Sequence, residues 1–323
     1  MDMISVIVPV YNAKKTIGGC MDSILSQDYR HIEIIVVDDG STDGTGAIID
    51  SYAASDRRVR AVHTQNRGVS AARNTGISLA RGEFFGFVDA DDRVEKDMYA
   101  RLIGLIGNAD ISVCGIERIC EVAGAPEKPP AACRADVRTL NPFEACREAL
   151  INDSFGGYLF NKLFRSYLFT EKGVRLDEKI HICEDLLCFF ECLRYARNIV
   201  FDPAARCRYV ISSGGATASG FSPRKATLVD ARRAAADFTR AYFPGLYRTA
   251  QNQFITAAVY IFISSLHSSA RYDLTRGDLN RIRSGVLSYL FSRAPRLYKP
   301  FALALCVSRR LAKALWKLAH LRG

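Results

Sequence analysis

Three short β-branched, apolar runs stop abruptly at polar or acidic clusters, and this constrains the fold more than any other feature. Ile4 to Val10 (ISVIVPV) is followed by Tyr11-Asn12. Ile32 to Val37 is followed by Asp38-Asp39-Gly40-Ser41, and Glu83 to Val88 by Asp89-Ala90-Asp91-Asp92. Helical spacing fills the intervals. Ile17, Cys20, Met21, Ile24 and Leu25 recur at one-turn steps. Thr42 or Asp43 can cap a helix carrying Ile48, Ile49 and Tyr52. Val59 to His63 reads as a strand and Val69 to Ala80 as a helix. Met98, Leu102, Leu105 and Ile106 mark another helix, and Ile111 to Ile116 a fifth strand. Strands alternating with helices predict an α/β fold with a mostly parallel, Rossmann-like sheet flanked by helices.

The alternation breaks between Val122 and Leu140, where Pro126, Pro129 and Pro130 read as a loop or insertion. Mixed short elements follow, including the apolar helical run Leu186 to Leu193. From Ser222-Pro223, a good cap with a first-turn proline, the chain reads as helical to its end. The expected domains are therefore 1–220, carrying the sheet, and 221–323, a C-terminal helical extension.

Charge follows the same division. From Arg271 onward twelve Lys or Arg stand against two Asp, which accounts for the whole net charge of +10 of this 323-residue chain. A neutral body without an aromatic-basic platform argues against nucleic acid as a partner. Ten cysteines include no CxxC pair, and most sit in apolar stretches, as reduced buried thiols do. The N-terminus has no basic region followed by an apolar run and cleavage site, so no signal peptide is expected. No apolar stretch reaches the ~20 residues of a spanning helix. A reducing cytoplasm is the expected location.

In open parallel sheets ligands bind beyond the carboxyl ends of the strands, where the acidic clusters stand. In extended chain, residues i and i+2 face the same way, so Asp89 and Asp91 can address one ion. Carboxylate oxygens suit Mg²⁺ or Mn²⁺, with sites left for diphosphate oxygens. Taken alone, such a DxD also fits two solvated loop aspartates. The first strand leads into Pro9-Val10-Tyr11-Asn12-Ala13, not GxGxxG, and GxxxxGK[ST] is absent. These absences speak against a dinucleotide enzyme and a P-loop ATPase.

Four segments in order resemble family 2 glycosyltransferases with the GT-A fold: Val8 to Asn12, Val37 to Thr45, Asn66 to Gly76, and Phe87 to Asp92. The resemblance is close over residues 3–120 and looser to about 215. It implies an enzyme using a nucleotide-sugar donor, typically a UDP-sugar, and Mn²⁺ or Mg²⁺. Pro9, Val10 and Tyr11 would line the base pocket, with Tyr11 against the nucleobase, unless Tyr11 is a half-buried rim residue. Asp39 would accept from the base while Asp38 supports the turn. Asn66 and Arg73 would lie near the nucleotide. Arg73 would offset diphosphate charge, or tie its helix to Asp38 or Asp89. Asp89 would contact ribose or the metal shell, Asp91 would be the main metal ligand, Ala90 would lie between them on the donor side, and Asp92 would support the loop.

Transfer with inversion needs a base beside the acceptor hydroxyl. Glu184-Asp185 opens the Leu186 helix, where its dipole favours ionised carboxylates. The pair resembles the family's ED motif, which makes Asp185 the expected base and leaves Glu184 to orient it or the acceptor; helix capping alone is the alternative. Asn161 to Arg165 resembles the segment preceding that motif, with Phe160 where many relatives have tryptophan. Ser212-Ser213-Gly214-Gly215 resembles a flexible loop after the last catalytic-domain strand, which would close over donor or stand as a plain loop. The competing reading is a non-catalytic nucleotide-sugar or glycan binding protein on the same fold.

Arg309, Lys313, Lys317 and His320 recur at about one turn, and Phe301, Leu305, Leu311, Leu315 and Leu318 occupy another side. A basic amphipathic helix suits an anionic membrane surface. That would place the protein peripherally on the inner face of the cell membrane, with a glycan or lipid-linked acceptor. The alternative is that the stripe packs on preceding helices or on a second copy, as a homodimer.

Overall fold

The computed structural model describes residues 2–120, 136–211 and 221–320. Residues 121–135 of the expected insertion and the Ser212 to Gly215 loop lie outside them. The chain forms two compact units, Met1–Glu178 with Glu184–Ser213, and Lys179–Cys183 with Gly214–Gly323.

The first unit runs β1 (Ile4–Val10), α1 (Ile17–Leu25), β2 (Ile32–Asp38), α2 (Thr45–Ser55), β3 (Val59–His63), α3 (Val69–Leu79), β4 (Phe84–Phe87), β5 (Arg93–Val94), α4 (Met98–Ile106), β6 (Ile111–Cys120), β7 (Arg138–Leu140), α5 (Pro142–Ile151), β8 (Lys162–Arg165), α6 (Tyr167–Thr170), α7 (Glu184–Leu193) and β9 (Ile199–Ile211). One sheet holds them in the order β3-β2-β1-β4-β8-β6-β9-β5, with β7 also on β9. The first four strands are mutually parallel. At β8 the pairing turns antiparallel on both sides, and β6 pairs β9 in parallel. Every residue of β1 is buried, as a central strand covered on both faces requires.

Chain order reverses direction across β1, which has β2 on one side and β4 on the other. This switch point is where an open α/β sheet splits at its carboxyl edge. Pro9 marks the split. Ile7 accepts the Val88 amide at 3.1 Å and Val10 accepts that of Asp39 at 2.8 Å. Odd-numbered β1 residues therefore bond toward β4. The β1–β4 ladder ends at Ile7, so the amide that Pro9 lacks falls where β4 has already diverged.

One helix start differs from expectation. Helix α2 is capped by Gly44 in the left-handed region, with Asp43 accepting the Thr45 amide at 3.0 Å, so Asp43 braces the first turn without being the cap. Helix α3 lies so close to the sheet that a Cβ on Gly76 would stand 2.4 Å from Ile7 Cγ2.

The second unit is helical: α8 (Pro223–Tyr242), α9 (Tyr247–Leu266), α10 (Arg276–Leu290), α11 (Lys299–Val307) and α12 (Arg309–His320). Ser222 caps α8 by accepting the Lys225 amide, with proline in the first turn. Its core gathers Phe254, Val259, Phe262, Ile282, Tyr289, Phe301 and Leu305. Helix α12 joins that core through Ala312, Leu315 and Trp316, while Leu311 and Leu318 stay exposed. The apolar stripe is thus divided: part packs on the preceding helices and part faces water. Among the described residues no helix is long and apolar enough to cross a membrane.

Candidate active site

The carboxyl ends of β1, β2 and β4 lie side by side, with Val10 level with Asp38 and Ile7 level with Phe87. Pro9 and Val10 are buried beneath the rim and Tyr11 stands 51% exposed on it. Asn12 stitches the first loop to the second. Its Oδ1 accepts the Thr42 amide at 2.8 Å, and its own amide donates to Ser41 Oγ at 2.9 Å. Asp38 accepts the Ser41 amide at 3.0 Å and faces His63 Nδ1 at 3.0 Å, so it does brace the turn. Gly40 has φ +75°, and a Cβ there would sit 2.9 Å from the Asn66 amide nitrogen. Only glycine lets the two loops approach so closely. Asn66 itself is exposed at this rim.

Asp39 is 3% exposed and accepts the Arg67 amide at 2.9 Å and the Gly68 amide at 2.7 Å, one on each oxygen. Gly68 immediately precedes α3. A carboxylate receiving amides at a helix N-terminus is favoured by charge and hydrogen bonding together. Asp39 thereby fixes where α3 begins, and α3 fixes Arg73 one and a half turns later.

Arg73 is 5% exposed and reaches two carboxylates. Its Nη2 donates to Asp89 Oδ1 at 2.6 Å and its Nη1 to Glu184 Oε1 at 2.7 Å. Burial opposes its charge, but Asp89, Glu184 and Asp185 outweigh burial and raise its pKa. Of the two ties expected for Arg73, the one to Asp89 is present, and Asp38 is engaged with Ser41 and His63. Glu184, expected to orient its neighbour or the acceptor, is turned onto Arg73.

Asp185 forms no ion pair among the described residues and accepts the Leu186 amide at 2.8 Å. Its pKa is raised to about 7, by burial first and then by the charge of Glu184, with Arg73 opposing and Asp89 adding. This corrects the expectation that the helix N-terminus holds it ionised. Desolvation and like charge exceed the dipole term, which is typically below ~2 kcal/mol.

Asp89 and Asp91 flank Ala90 in the turn after β4. The turn is held by the Asp92 amide on the Asp89 carbonyl at 3.0 Å and by Cys20 Sγ on that same carbonyl at 3.4 Å. Asp91 is exposed and forms no ion pair among the described residues. Its carboxyl is nonetheless raised, by desolvation from the body beneath it and then by Asp89. Among the described residues no group of three or more His, Cys, Asp or Glu is arranged to hold a metal. Asp91, which has no ion-pair partner among the described residues, and Asp89 beside it, paired through one oxygen to Arg73, fit a hard divalent cation whose shell is completed by phosphate oxygens.

Sequence reasoning singled out Asn161 to Arg165, as shaping the acceptor side or packing the sheet edge, but missed what Lys162 does there. Lys162 is fully buried, with Nζ donating to the carbonyls of Phe155, Gly156 and Tyr158 and to Asn161 Oδ1 at 2.7–3.1 Å. Its ammonium lies 4.8 Å from the Phe189 ring, one turn beyond Asp185 on α7. Burial lowers its pKa to about 7, with Asp185 pulling the other way. Four surrounding acceptors account for the proton it carries, because a neutral amine would aim a lone pair at one of them. Phe160 packs against Tyr158 (4.9 Å) and Tyr209 (5.6 Å), which meet each other at 5.8 Å. The aromatic position noted before β8 was visible in sequence; its partners were not.

The sheet and its flanking helices have the GT-A architecture. The solved structure of Staphylococcus aureus TarS 1–349 in complex with UDP-GlcNAc superposes with a TM-score of 0.66 at 18% identity, covering 99% of this chain and 92% of that one. The mannosyltransferase PcManGT of Pyrobaculum calidifontis, in complex with GDP-Man and Mn²⁺, matches at 0.54 and 17%, covering 99% and 80%. Residues 5–170 match the family described as glycosyl transferase family 2, and the chain belongs to that family. It is 37% identical over 199 residues to the glycosyltransferase EpsJ of Bacillus subtilis, covering 61% of this chain and 58% of EpsJ. It is 46% identical over 113 residues to GlyG of Streptococcus pneumoniae, covering 35% and 38%. The chain thus spans little more than half of EpsJ and well under half of GlyG.

Proposed function

We propose that the chain transfers a sugar, with inversion, from a nucleotide-sugar donor to a hydroxyl of a glycan or lipid-linked acceptor. Uridine is the proposed base, supported by TarS, whose structures are described with UDP and UDP-GlcNAc. Arg73 carries the reading, because it draws Asp89 from the end of β4 and Glu184 from the start of α7 into one cluster. Two carboxylates in that cluster lack a cation partner, Asp91 and Asp185, and they take the two roles the reaction requires.

Tyr11 covers the base, with Pro9 and Val10 beneath it. Asp39 receives the Arg67 amide and the Thr64 hydroxyl on Oδ1 and the Gly68 amide on Oδ2, so Oδ2 keeps the lone pair that accepts from the base. Asp89 and Asp91 hold Mn²⁺ or Mg²⁺ with the diphosphate; that cation, when bound, neutralises charge on the leaving group. Asp185, titrating near 7, removes the proton from the acceptor hydroxyl as it attacks the anomeric carbon opposite the diphosphate. A single base suffices for direct displacement, which inverts the centre.

The same proposal places the chain peripherally at the inner face of an anionic membrane, where its basic C-terminal helices would meet lipid and a lipid-linked acceptor would be presented. The catalytic part is tested by hydrolysis and transfer of UDP-sugars with and without Mn²⁺. Metal-stimulated turnover lost in Asp185→Asn supports an enzyme. Donor binding with no turnover by the wild type favours a binding protein on this fold.

A further inference from the structure

Helices α10 and α11 form an antiparallel pair with a recorded contact at each end. Arg283 Nε donates to the Cys306 carbonyl at 2.8 Å at one end. Lys299 Nζ donates to the carbonyls of Leu290 and Ser292 at 2.8 and 2.9 Å at the other. Counting inward from both ends puts Leu287 level with Leu303. These two residues are 71% and 51% exposed. One turn beyond Leu287 stands Phe291, 91% exposed, and Leu297, 71% exposed, lies in the connection between the helices. The inner faces of the same helices supply Ile282, Tyr289, Phe301 and Leu305 to the core. The pair is therefore apolar on both sides, and the outer side has no partner among the described residues.

The charge on these two helices and their connection beyond Asp278 is of one sign. No Asp or Glu follows Asp278 anywhere in the chain. Arg293 and Arg296 flank the connection, are exposed and form no ion pair among the described residues. Large exposed apolar side chains ringed by arginine match the interface of an anionic bilayer, where the apolar groups enter the acyl boundary and the guanidinium groups meet phosphate. A two-fold contact with a second copy would bring the same arginines against one another, so charge disfavours it.

We infer that the outer face of α10 and α11, led by Phe291 and Leu287, is the surface by which the protein docks on anionic phospholipid. The inference rests on the peripheral-membrane reading above and relocates its contact from the α12 stripe, much of which is already spent on the helical core.

The test uses the full chain and sedimentation with vesicles of phosphatidylglycerol and phosphatidylcholine, or of phosphatidylcholine alone. Wild type is expected to bind the anionic vesicles, less as salt rises, and to leave the neutral ones. Leu287→Ser with Phe291→Ser is expected to weaken binding roughly tenfold or more, and Leu311→Ser with Leu318→Ser to change it about twofold or less. Both variants are expected to keep the wild-type thermal shift with UDP, as folded proteins would. If wild type ignores anionic vesicles, the membrane reading itself fails. If wild type binds and only the α12 variant loses binding, that reading stands and this surface is wrong. If wild type is a dimer that Phe291→Ser converts to monomer, a second copy occupies the face and the inference is overturned.

Discussion

Arg73 and Glu184 are 111 residues apart in sequence and meet at 2.7 Å, closed off from solvent. Their contact joins two halves of a site whose separate motifs each appear ordinary. Asp39 holds the start of α3, α3 carries Arg73, and Arg73 holds Asp89 on one side and Glu184 beside Asp185 on the other.

Removing the guanidinium leaves Asp89, Glu184 and Asp185 crowded together without a countercharge. Breaking a buried pair by deleting one partner typically costs about 3–5 kcal/mol. Arg73→Met is expected to lose stability on that scale at pH 8 and less at pH 5, where Asp185, raised to about 7, is protonated and adds no charge to the cluster. Urea unfolding at the two pH values measures it; an equal loss at both would mean that charge is not the cause.

Asp185 predicts opposite trends for stability and rate. Its folded value, about 7, lies above the ~3.9 of an unfolded aspartate. Its contribution to stability is therefore complete below about pH 4 and lost as pH rises through about 7. The ionised base appears over the same interval, so kcat/KM rises as melting temperature falls. Asp185→Asn is expected to flatten the stability trend and to melt above wild type at pH 8 but not at pH 4. Thermal melts from pH 4 to 9 decide this.

The apolar strands and the acidic clusters after them were readable because they are local: burial on both faces demands continuous β-branched residues, and the acidic clusters stand where those runs end. The helix of Val69 and the acidic start of α7 were readable for similar reasons. The Gly68–Asp39 and Arg73–Glu184 contacts were not, since nothing local pairs residues that far apart. Strand β8 is four residues long and follows a loop, so it carries too little periodicity to announce its antiparallel pairing. Lys162 looks like a surface lysine until three carbonyls of its own preceding turn close over it. The sign of the Asp185 shift was misjudged because helix position is visible in sequence and desolvation is not.

Lys162→Met keeps the apolar stem and deletes the ammonium, removing its hydrogen bonds to the Phe155, Gly156 and Tyr158 carbonyls and to Asn161 Oδ1, while Asn161 Nδ2 still donates to the Phe155 carbonyl. A buried acceptor that loses its donor costs roughly 1–3 kcal/mol, so a loss of about 2 kcal/mol or more is expected. Denaturant unfolding measures it. A variant as stable as wild type would mean that the turn does not depend on this side chain.

Asp91→Ala removes the exposed carboxylate of the cation pair and leaves the Arg73 network in place. Melting temperature with UDP is expected to rise on adding Mn²⁺ in wild type and not in the variant, because a ligand that binds only the folded state stabilises it by mass action. An unchanged Mn²⁺-dependent rise would move the cation away from this turn.

Turnover of a UDP-sugar by wild type and Asp185→Asn, each first shown by thermal shift to bind UDP with Mn²⁺, tests the central claim most directly. The account predicts retained donor binding and a rate lower by roughly 10²–10⁴, the range over which a positioned base contributes. Turnover by Asp185→Asn equal to wild type, with donor binding intact, would contradict it.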